Sequence, residues 1–477
     1  MPDRQGKTGA ATREQLWVLA LASLASFMVI LDALVVATAL TAIRRHLGAS
    51  LADLEWTVNA YTLSFAVLLM TAAALGDRLG RRRVFAAGLA LFAISSVACA
   101  LANDSGALIA ARAMQGAGAA AIMPTALALL NGAFPPARRG WAIGIYGSVT
   151  GLAAVLGPVL GGAVTQGLGW QWIFWLNVPI ALCAIPLVLT RIPEARGSVA
   201  ALDAPGLVLI TVAALGLTWA LVRGNTAGWG SAETVSVLCA GAAATVSFII
   251  WERRASAPML PVRLYRSVAF SAGNGAIFLL NASLTGAVFL MPQFQQVVHG
   301  AGPLTAGLRL LPWGVAPFLL APWAGALADR IGERSLAVTG LLLQAAGLAW
   351  ISAAAGPATS YPALITPMIL VGAGFGIAIP AVTRSVTSNV QPANIGRASG
   401  AYSMMRQLGG AFGVAVLGAA FSAAGSYSSP VAFSAGFTAA FGAAAGMAFA
   451  GALAGAILPA RSRRAVPAAA APRVSVE

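Results

Sequence analysis

Fourteen predominantly apolar runs, most of them about as long as the ~20 residues a helix needs to cross a bilayer, divide this chain of 477 residues. They lie around residues 16–43, 54–75, 84–102, 106–130, 140–163, 172–190, 204–222, 234–251, 268–297, 306–328, 335–355, 361–383, 394–421 and 431–459. With 59% hydrophobic and 9% charged residues, the chain has too little polar surface to cover a water-soluble globule. In lipid every backbone polar group needs an internal partner, so runs of this length are helices. The predicted fold class is therefore all-α and polytopic. An even number of spans puts both termini on the same side.

A net charge of +15 in a soluble protein would point to nucleic acid or another anionic partner. The placement of the charges argues against that. With a cytoplasmic N-terminus, 23 of the 29 basic residues fall in tails and inner loops, among them Arg78, Arg81, Arg82, Arg83, Arg138, Arg139, Arg253, Arg254, Arg263, Arg266, Arg330 and Arg334. Only Arg44, Arg45 and Arg223 face outward, and Arg112, Arg309 and Arg406 are left inside spans. That bias sets the orientation by the positive-inside rule, with both termini cytoplasmic and no nucleic-acid partner. The first run is too long for the apolar core of a signal peptide and contains Asp32, so it is read as a retained helix. Cys99, Cys183 and Cys239 fall within helices without metal-ligand spacing and read as packing residues. His46 and His299 map to outer span ends, away from any central relay. No phosphate-binding loop pattern occurs, so ATP is not the expected energy source; no cofactor and no metal are expected.

The chain repeats itself. Ala-Leu-Gly-Asp-Arg-Leu-Gly-Arg-Arg at Ala74 to Arg82 returns 252 positions later as Ala-Leu-Ala-Asp-Arg-Ile-Gly-Glu-Arg at Ala326 to Arg334. Gly116, Gly118, Pro124, Gly140 and Gly144 return as Gly372, Gly374, Pro380, Gly396 and Gly400 at a spacing of 256. A duplicated bundle follows, with expected boundaries at 16–191 for the first six helices, 192–266 for an inserted helix pair with its connectors, and 267–459 for the second six. Residues 1–15 and 460–477 are expected to be cytoplasmic tails. Duplicated membrane bundles are mostly transporters, and neither a sizeable soluble domain nor a catalytic set is present to support a receptor, scaffold or enzyme.

Asp32 is the only acid well inside a span, and residues of this kind face a cavity or a partner. Burial favours its neutral form and a neighbouring Arg its charged form, a competition that makes a proton switch; the alternative is a static ion pair that holds helices together. Arg112 is the natural partner. It shares a helical face with Gln115, Gly116 and Ala119, and its repeat equivalent is Met368, so the charge is not required by packing common to both halves. The alternative for Arg112 is capping carbonyls of a kinked helix. Span five carries Gly147, Gly151, Ala154, Pro158 and Gly161 at helical spacing, as close helix approach requires. Asn59, Tyr61 and Ser64 in span two, and Asn274, Asn281 and Thr285 in span nine with Gln293 and Gln295 toward its outer end, suit either a drug-sized cavity or interhelical hydrogen bonding.

Several motifs coincide with one family. Leu31-Asp32 and Ala39-Leu40, then Asp77-Arg78-Leu79-Gly80-Arg81-Arg82-Arg83, Arg112 with Gln115, Gly116 and Gly118, Gly157-Pro158 with Gly161-Gly162, and Trp172-Ile-Phe174 with Asn177-Val-Pro179 give a chain that resembles the fourteen-span drug:proton antiporters of the major facilitator superfamily from about Gln15 to Leu458. The resemblance implies the major facilitator fold, with two six-helix bundles and two inserted helices. It further implies proton coupling through Asp32 and Arg112, and a conformational latch at Asp77, Arg78, Arg81 and Arg82 with Asp329 and Arg330, in which Asp77 pairs across to the other bundle. Gly147, Gly151, Gly157, Pro158, Gly161 and Gly162 correspond to the antiporter helix motif that seals the bundles on one side. Asn59, Tyr61, Gln115, Asn274, Asn281, Thr285 and Arg406 are the candidate cavity residues. The expected function is a monomeric exporter in the bacterial inner membrane that moves a hydrophobic drug or antibiotic outward while protons enter, conferring resistance. An exporter or symporter of one endogenous metabolite is the alternative. With Asp32, Arg112 and Arg406 as core charges, the expected cargo is neutral, zwitterionic or at most monovalent, and one core acid favours one proton per cycle.

Overall fold

The computed structural model describes residues 11–197, 202–256, 258–260, 262–388, 390–391 and 394–459; residues 1–10 and 460–477 of the expected tails lie outside them. Fourteen described helices are long and apolar enough to cross a membrane, one for each predicted run. The first bundle comprises α1 (Arg13–Leu47), α2 (Leu51–Leu79), α3 (Arg81–Ala100), α4 (Ser105–Ala133), α5 (Pro136–Gly167), and a sixth span formed by α6 (Trp172–Trp175) and α7 (Asn177–Arg191). The inserted pair is α8 (Ala204–Ala227) and α9 (Ala232–Arg254). After a 3-10 turn at Val262–Arg266 come α10 (Val268–Val297), a tenth span formed by α11 (Pro303–Arg309) and α12 (Leu311–Ile331), then α13 (Glu333–Ala354), α14 (Tyr361–Ser388), α15 (Ile395–Ala424) and α16 (Pro430–Ala456).

Local chemistry sets the helix ends. Thr12 with Gln15 and Ser50 with Asp53 form reciprocal capping boxes at α1 and α2, and Asp104 caps α4, each satisfying amides that a helix start leaves open. Gly48 closes α1 in the left-handed region at φ 64°, where a side chain would be strained. The two broken spans correct the expectation of continuous helices. Pro179 and Pro312 cannot donate the backbone bond that would run back to Trp175 and Leu308, and the breaks fall beside them, at Leu176 and Leu310. The second break puts Arg309 at the end of a short helix instead of deep in a span.

The repeat is visible as two identical helix crossings. Gly118 of α4 lies against Gly88 and Phe92 of α3, and Gly374 of α14 against Gly340 and Gln344 of α13. Gly116 meets Tyr61 and Ser64 of α2, while Gly372 meets Trp313 and Ala316 of α12, so the same register recurs in both halves. A Cβ at any of these positions would collide with backbone, which is why small residues recur there. The inserted pair packs on itself, with Gly216 against Gly241. It leans on α2 and α15, one helix of each bundle. Trp56 of α2 contacts Trp219 of α8 at 5.6 Å, and Asp203 accepts from the Trp251 indole at 2.7 Å. Cys99 is buried, whereas Cys183 and Cys239 are exposed on the helix surfaces.

Candidate functional site

Asp32 lies inside the first bundle, 1% exposed, and two helices, α4 and α7, aim donors at it. Arg112 Nη1 of α4 donates to its Oδ2 at 2.5 Å. Gln115, one helical turn along α4, donates from Nε2 to Oδ1 at 2.8 Å, and Asn177 at the start of α7 donates to the same oxygen at 2.8 Å. The helix break at Leu176 therefore sits where the chain delivers an amide to the acid. Ser96 of α3 accepts from Gln115 and Asn177 at 2.9 and 3.3 Å. Arg112 is also 1% exposed. Its Nε donates to the Thr57 carbonyl at 3.2 Å, Nη1 also donates to Gln115 Oε1 at 2.6 Å, and the guanidinium lies 4.2 Å from the Tyr61 ring centre. Two buried charges are tolerated in such a place only when paired and hydrogen-bonded, and both conditions hold.

Tyr61 and Gln115, expected to line a cavity, are buried around the Asp32–Arg112 pair; the Tyr61 hydroxyl donates to the Val29 carbonyl at 3.1 Å. Asn177 and Ser96 were not singled out as site residues, because nothing in their spacing links them to Asp32; the Asn-Val-Pro string was the available signal. Met368 and Val371, the repeat equivalents of Arg112 and Gln115, belong to an apolar core cluster. The polar network occupies one half of a duplicated frame.

The remaining cavity candidates divide in the same way. Asn59, Asn274 and Asn281 are buried, and the last two donate to carbonyls of their own helix, Phe270 and Ile277. Thr285 packs toward Gly410 of α15. Arg406 of α15 is half-buried, lies near enough to Tyr146 of α5 and Tyr402 of α15 to act on them electrostatically, and has an Nε without a hydrogen-bond partner. Of the seven candidates, only Thr285 and Arg406 keep partial exposure.

At the arginine-rich end, Asp77 pairs with Arg81 at 2.7 Å, within its own loop and not with the second bundle. Arg82 donates to the carbonyls of Leu189 and Ile192 at 3.1 Å, and Glu194 accepts from the Arg82 amide at 3.0 Å. Gly80, at φ 114°, lies directly against the Glu194 carboxylate. The loop is thus fastened to the segment leaving α7. Arg78 and Arg330 are exposed, and the Asp329 side chain lies outside the described residues. In the second half Arg384 stands 3.8 Å from Glu333, again within one bundle.

Toward the opposite end the bundles close on each other along α5, while α2 and α15 also meet in their arginine-rich halves, where Met70 lies against Gly400. Gly157 and Gly161 of α5 pack on Leu34, Val35 and Thr38 of α1, while Gly162 faces Pro303 and Leu304 of α11 and Pro158 faces Gly307. A Cβ at Gly151 would stand 3.6 Å from Phe318, and one at Gly147, Gly144 or Gly140 would meet nothing within 4 Å. The motif therefore serves two partners, and contact between the bundles along α5 fades toward the arginine-rich end. Leu304 N donates to Gln166 Oε1 at 3.1 Å and Gln296 Nε2 to the Thr38 carbonyl at 3.0 Å. Gln293 and Gln295 lie at this end but bond within the second bundle: Gln293 accepts from the Tyr427 hydroxyl at 2.5 Å and Gln295 from Arg309 at 2.8 Å. Burial pushes His299 below the usual histidine range, with the charge of Arg309 acting in the same direction, so it adds no cation here at neutral pH. Glu55 in the second turn of α2 was not singled out. It lies at the edge of the second apolar run, yet it is 2% exposed.

Two bundles of six membrane-length helices packed on each other, one with a buried charged network, define a polytopic membrane transporter. The chain belongs to the Major Facilitator Superfamily, whose profile matches residues 22–414. It is 37% identical over 398 residues to the tetracenomycin C resistance and export protein of Streptomyces glaucescens, spanning 82% of this chain and 73% of that one. It is 36% identical to the cephamycin export protein CmcT of Amycolatopsis lactamdurans, spanning 87% of this chain and 86% of that one. Among solved structures, a bacterial homolog of the human lysosomal transporter Spinster, in an inward-facing and unoccupied conformation, superposes with a TM-score of 0.64 at 17% identity over 93% of this chain and 98% of that one.

Proposed function

We propose that this chain is a proton-coupled exporter of hydrophobic antibiotics in a bacterial plasma membrane, with its arginine-rich end in the cytoplasm. The observation that carries the coupling reading is the Asp32–Arg112 pair, buried among the amides of Gln115 and Asn177 in one half of a repeat whose other half does without it. Protonating Asp32 removes half of that ion pair and leaves Arg112 to the contacts it already makes with Gln115 Oε1, the Thr57 carbonyl and the Tyr61 face. The same acid therefore has two packed arrangements that differ by one proton, which a coupled carrier requires. Export from relatives named for tetracenomycin and cephamycin supports the outward direction, and the 23 basic residues on one side support the orientation.

Energetically one proton suffices for useful export. A charge crossing ~100 mV releases ~2.3 kcal/mol, and each pH unit adds ~1.4 kcal/mol. Together these sustain a gradient of a few hundredfold for a neutral compound. Asp77 and Arg81 act as the latch by exchanging their pairing within the loop for contacts with the second bundle when the cytoplasmic end closes. Inverted membrane vesicles energised with an acidic lumen test the direction: an exporter accumulates a labelled neutral antibiotic inside them, and a symporter depletes it.

A further inference from the structure

We infer that Glu55 is a second proton-binding site, distinct from Asp32, and that its proton holds the end remote from the arginine-rich loops closed. Glu55 projects from α2 onto Gly418 of α15, so close that a Cβ at 418 would sit on its carboxylate. It therefore lies in the contact between the two bundles. It is 2% exposed, its Oε2 has no hydrogen-bond partner, and no cation among the described residues reaches it within ion-pair distance.

None of the neighbouring charges pairs with Glu55, although the Arg44 Nε is itself without a hydrogen-bond partner. Arg44 of α1 lies over the Tyr427 ring at 4.1 Å, and Tyr427, from the α15–α16 connection, gives its hydroxyl to Gln293 of α10. Burial raises the Tyr427 phenol above its ordinary value, so it is neutral. On α2, Asp53 caps its own helix start at Ser50. From α4, Arg112 is held by Asp32, and Asp104 caps the helix. On the inserted pair Arg223 stands beside Glu233 at 3.4 Å. The outer half of α15, from Gly409 to Ala424, carries no titratable side chain.

An ionised carboxylate enclosed without a partner is strongly disfavoured, and a protonated one is not. Separation of α2 from α15 admits water to Glu55 and lets it ionise. The closed state thus binds one proton more than the open state, so raising the pH on that side favours opening, by up to ~10-fold in the population ratio per pH unit. This exchange is with one side only. It gates the cycle and moves no charge across, and it does not depend on Asp32 carrying the driving proton or on any drug.

The test places spin labels at Asn103→Cys and Ser428→Cys, exposed positions on the two bundles at this end, in a chain whose three native cysteines are replaced and which carries Asp32→Asn with Arg112→Met, so that the other acid is silenced without freeing its partner. Distances are measured in lipid nanodiscs from about pH 5.5 to about pH 8.5, bracketing a perturbed carboxylate. The expected result is a short distance at low pH giving way to a longer one at high pH, with the short distance retained throughout in Glu55→Gln and the transition retained in Glu55→Asp. A pH-independent parent, or the same transition in a monodisperse Glu55→Gln protein, overturns the inference. Loss of drug export by any of these proteins bears on the exporter reading and leaves this measurement unaffected.

Discussion

Asp32 and Arg112 each depend on the other for a place in the membrane interior. Removing one charge leaves its partner enclosed, a change that costs ~3 to 5 kcal/mol in buried pairs. Asp32→Asn alone is therefore expected to lower thermal stability as well as abolish coupling. Asp32→Asn/Arg112→Met, which installs the repeat equivalent at the second position, is expected to recover most of that stability and none of the transport. Unfolding midpoints and vesicle uptake of the three variants check this; a double variant as unstable as the single one contradicts the pairing argument. Asn177 contributes a hydrogen bond to a charged acceptor, worth ~1.5 to 3 kcal/mol. Asn177→Ala should slow proton-driven efflux with little change in apparent drug affinity, and unchanged turnover would show that Asp32 needs only its α4 donors. The pairing of Asp32 with Arg112 was legible in the sequence, since an intramembrane acid requires a partner and few mid-span arginines exist. Asn177 and Glu55 were not legible, because a hydrogen bond across 145 positions and a glycine from a distant helix leave no periodic trace.

The helices divide into those that build a bundle and those that meet across bundles, and glycines in the two settings should respond differently to the same substitution. Gly116 of α4 packs on Tyr61 and Ser64 within the first bundle. Gly116→Val overpacks that crossing, with an expected loss of ~1 to 3 kcal/mol and reduced membrane yield. Gly162 of α5 faces Pro303 and Leu304 of α11 across the closure. Gly162→Val should leave each bundle intact and the protein abundant, yet cut turnover severalfold by obstructing closure. Membrane abundance measured beside efflux separates the two outcomes, and equal loss of abundance in both would remove the distinction. The small-residue stripe of span five was readable from spacing alone. That it serves α1 with some members and α11 with others follows from the side of α5 each glycine faces, and the breaks at Leu176 and Leu310 arise from prolines whose missing donors were visible but whose consequence depended on neighbours.

For the molecule as a whole, fourteen spans, their duplication and the inserted pair could all be read from hydropathy and from two recurring offsets. The lipid solvent leaves helices as the only outcome for such runs. The interior was less readable: most polar residues assigned to a drug cavity proved to be buried between helices, because the same amide or hydroxyl that suits a ligand also suits a carbonyl one turn away. What remains half-open and cationic is Arg406, while Asp32 and Arg112 close as a neutral pair. Dications are therefore expected to be poor cargo. In matched cells the protein should protect against a neutral antibiotic and at most weakly against a dicationic biguanide; a clear preference for the dication would contradict this charge distribution.

The central claim is that drug and proton exchange through Asp32. Purified protein in liposomes loaded with a pH-sensitive dye and given an outward gradient of a neutral antibiotic tests it most directly, because no other ion gradient is present. The wild-type protein should acidify the lumen as drug leaves, and Asp32→Asn, folded and inserted, should give no drug-dependent pH change. Drug-driven acidification by Asp32→Asn at the wild-type ratio of protons to drug would contradict the account.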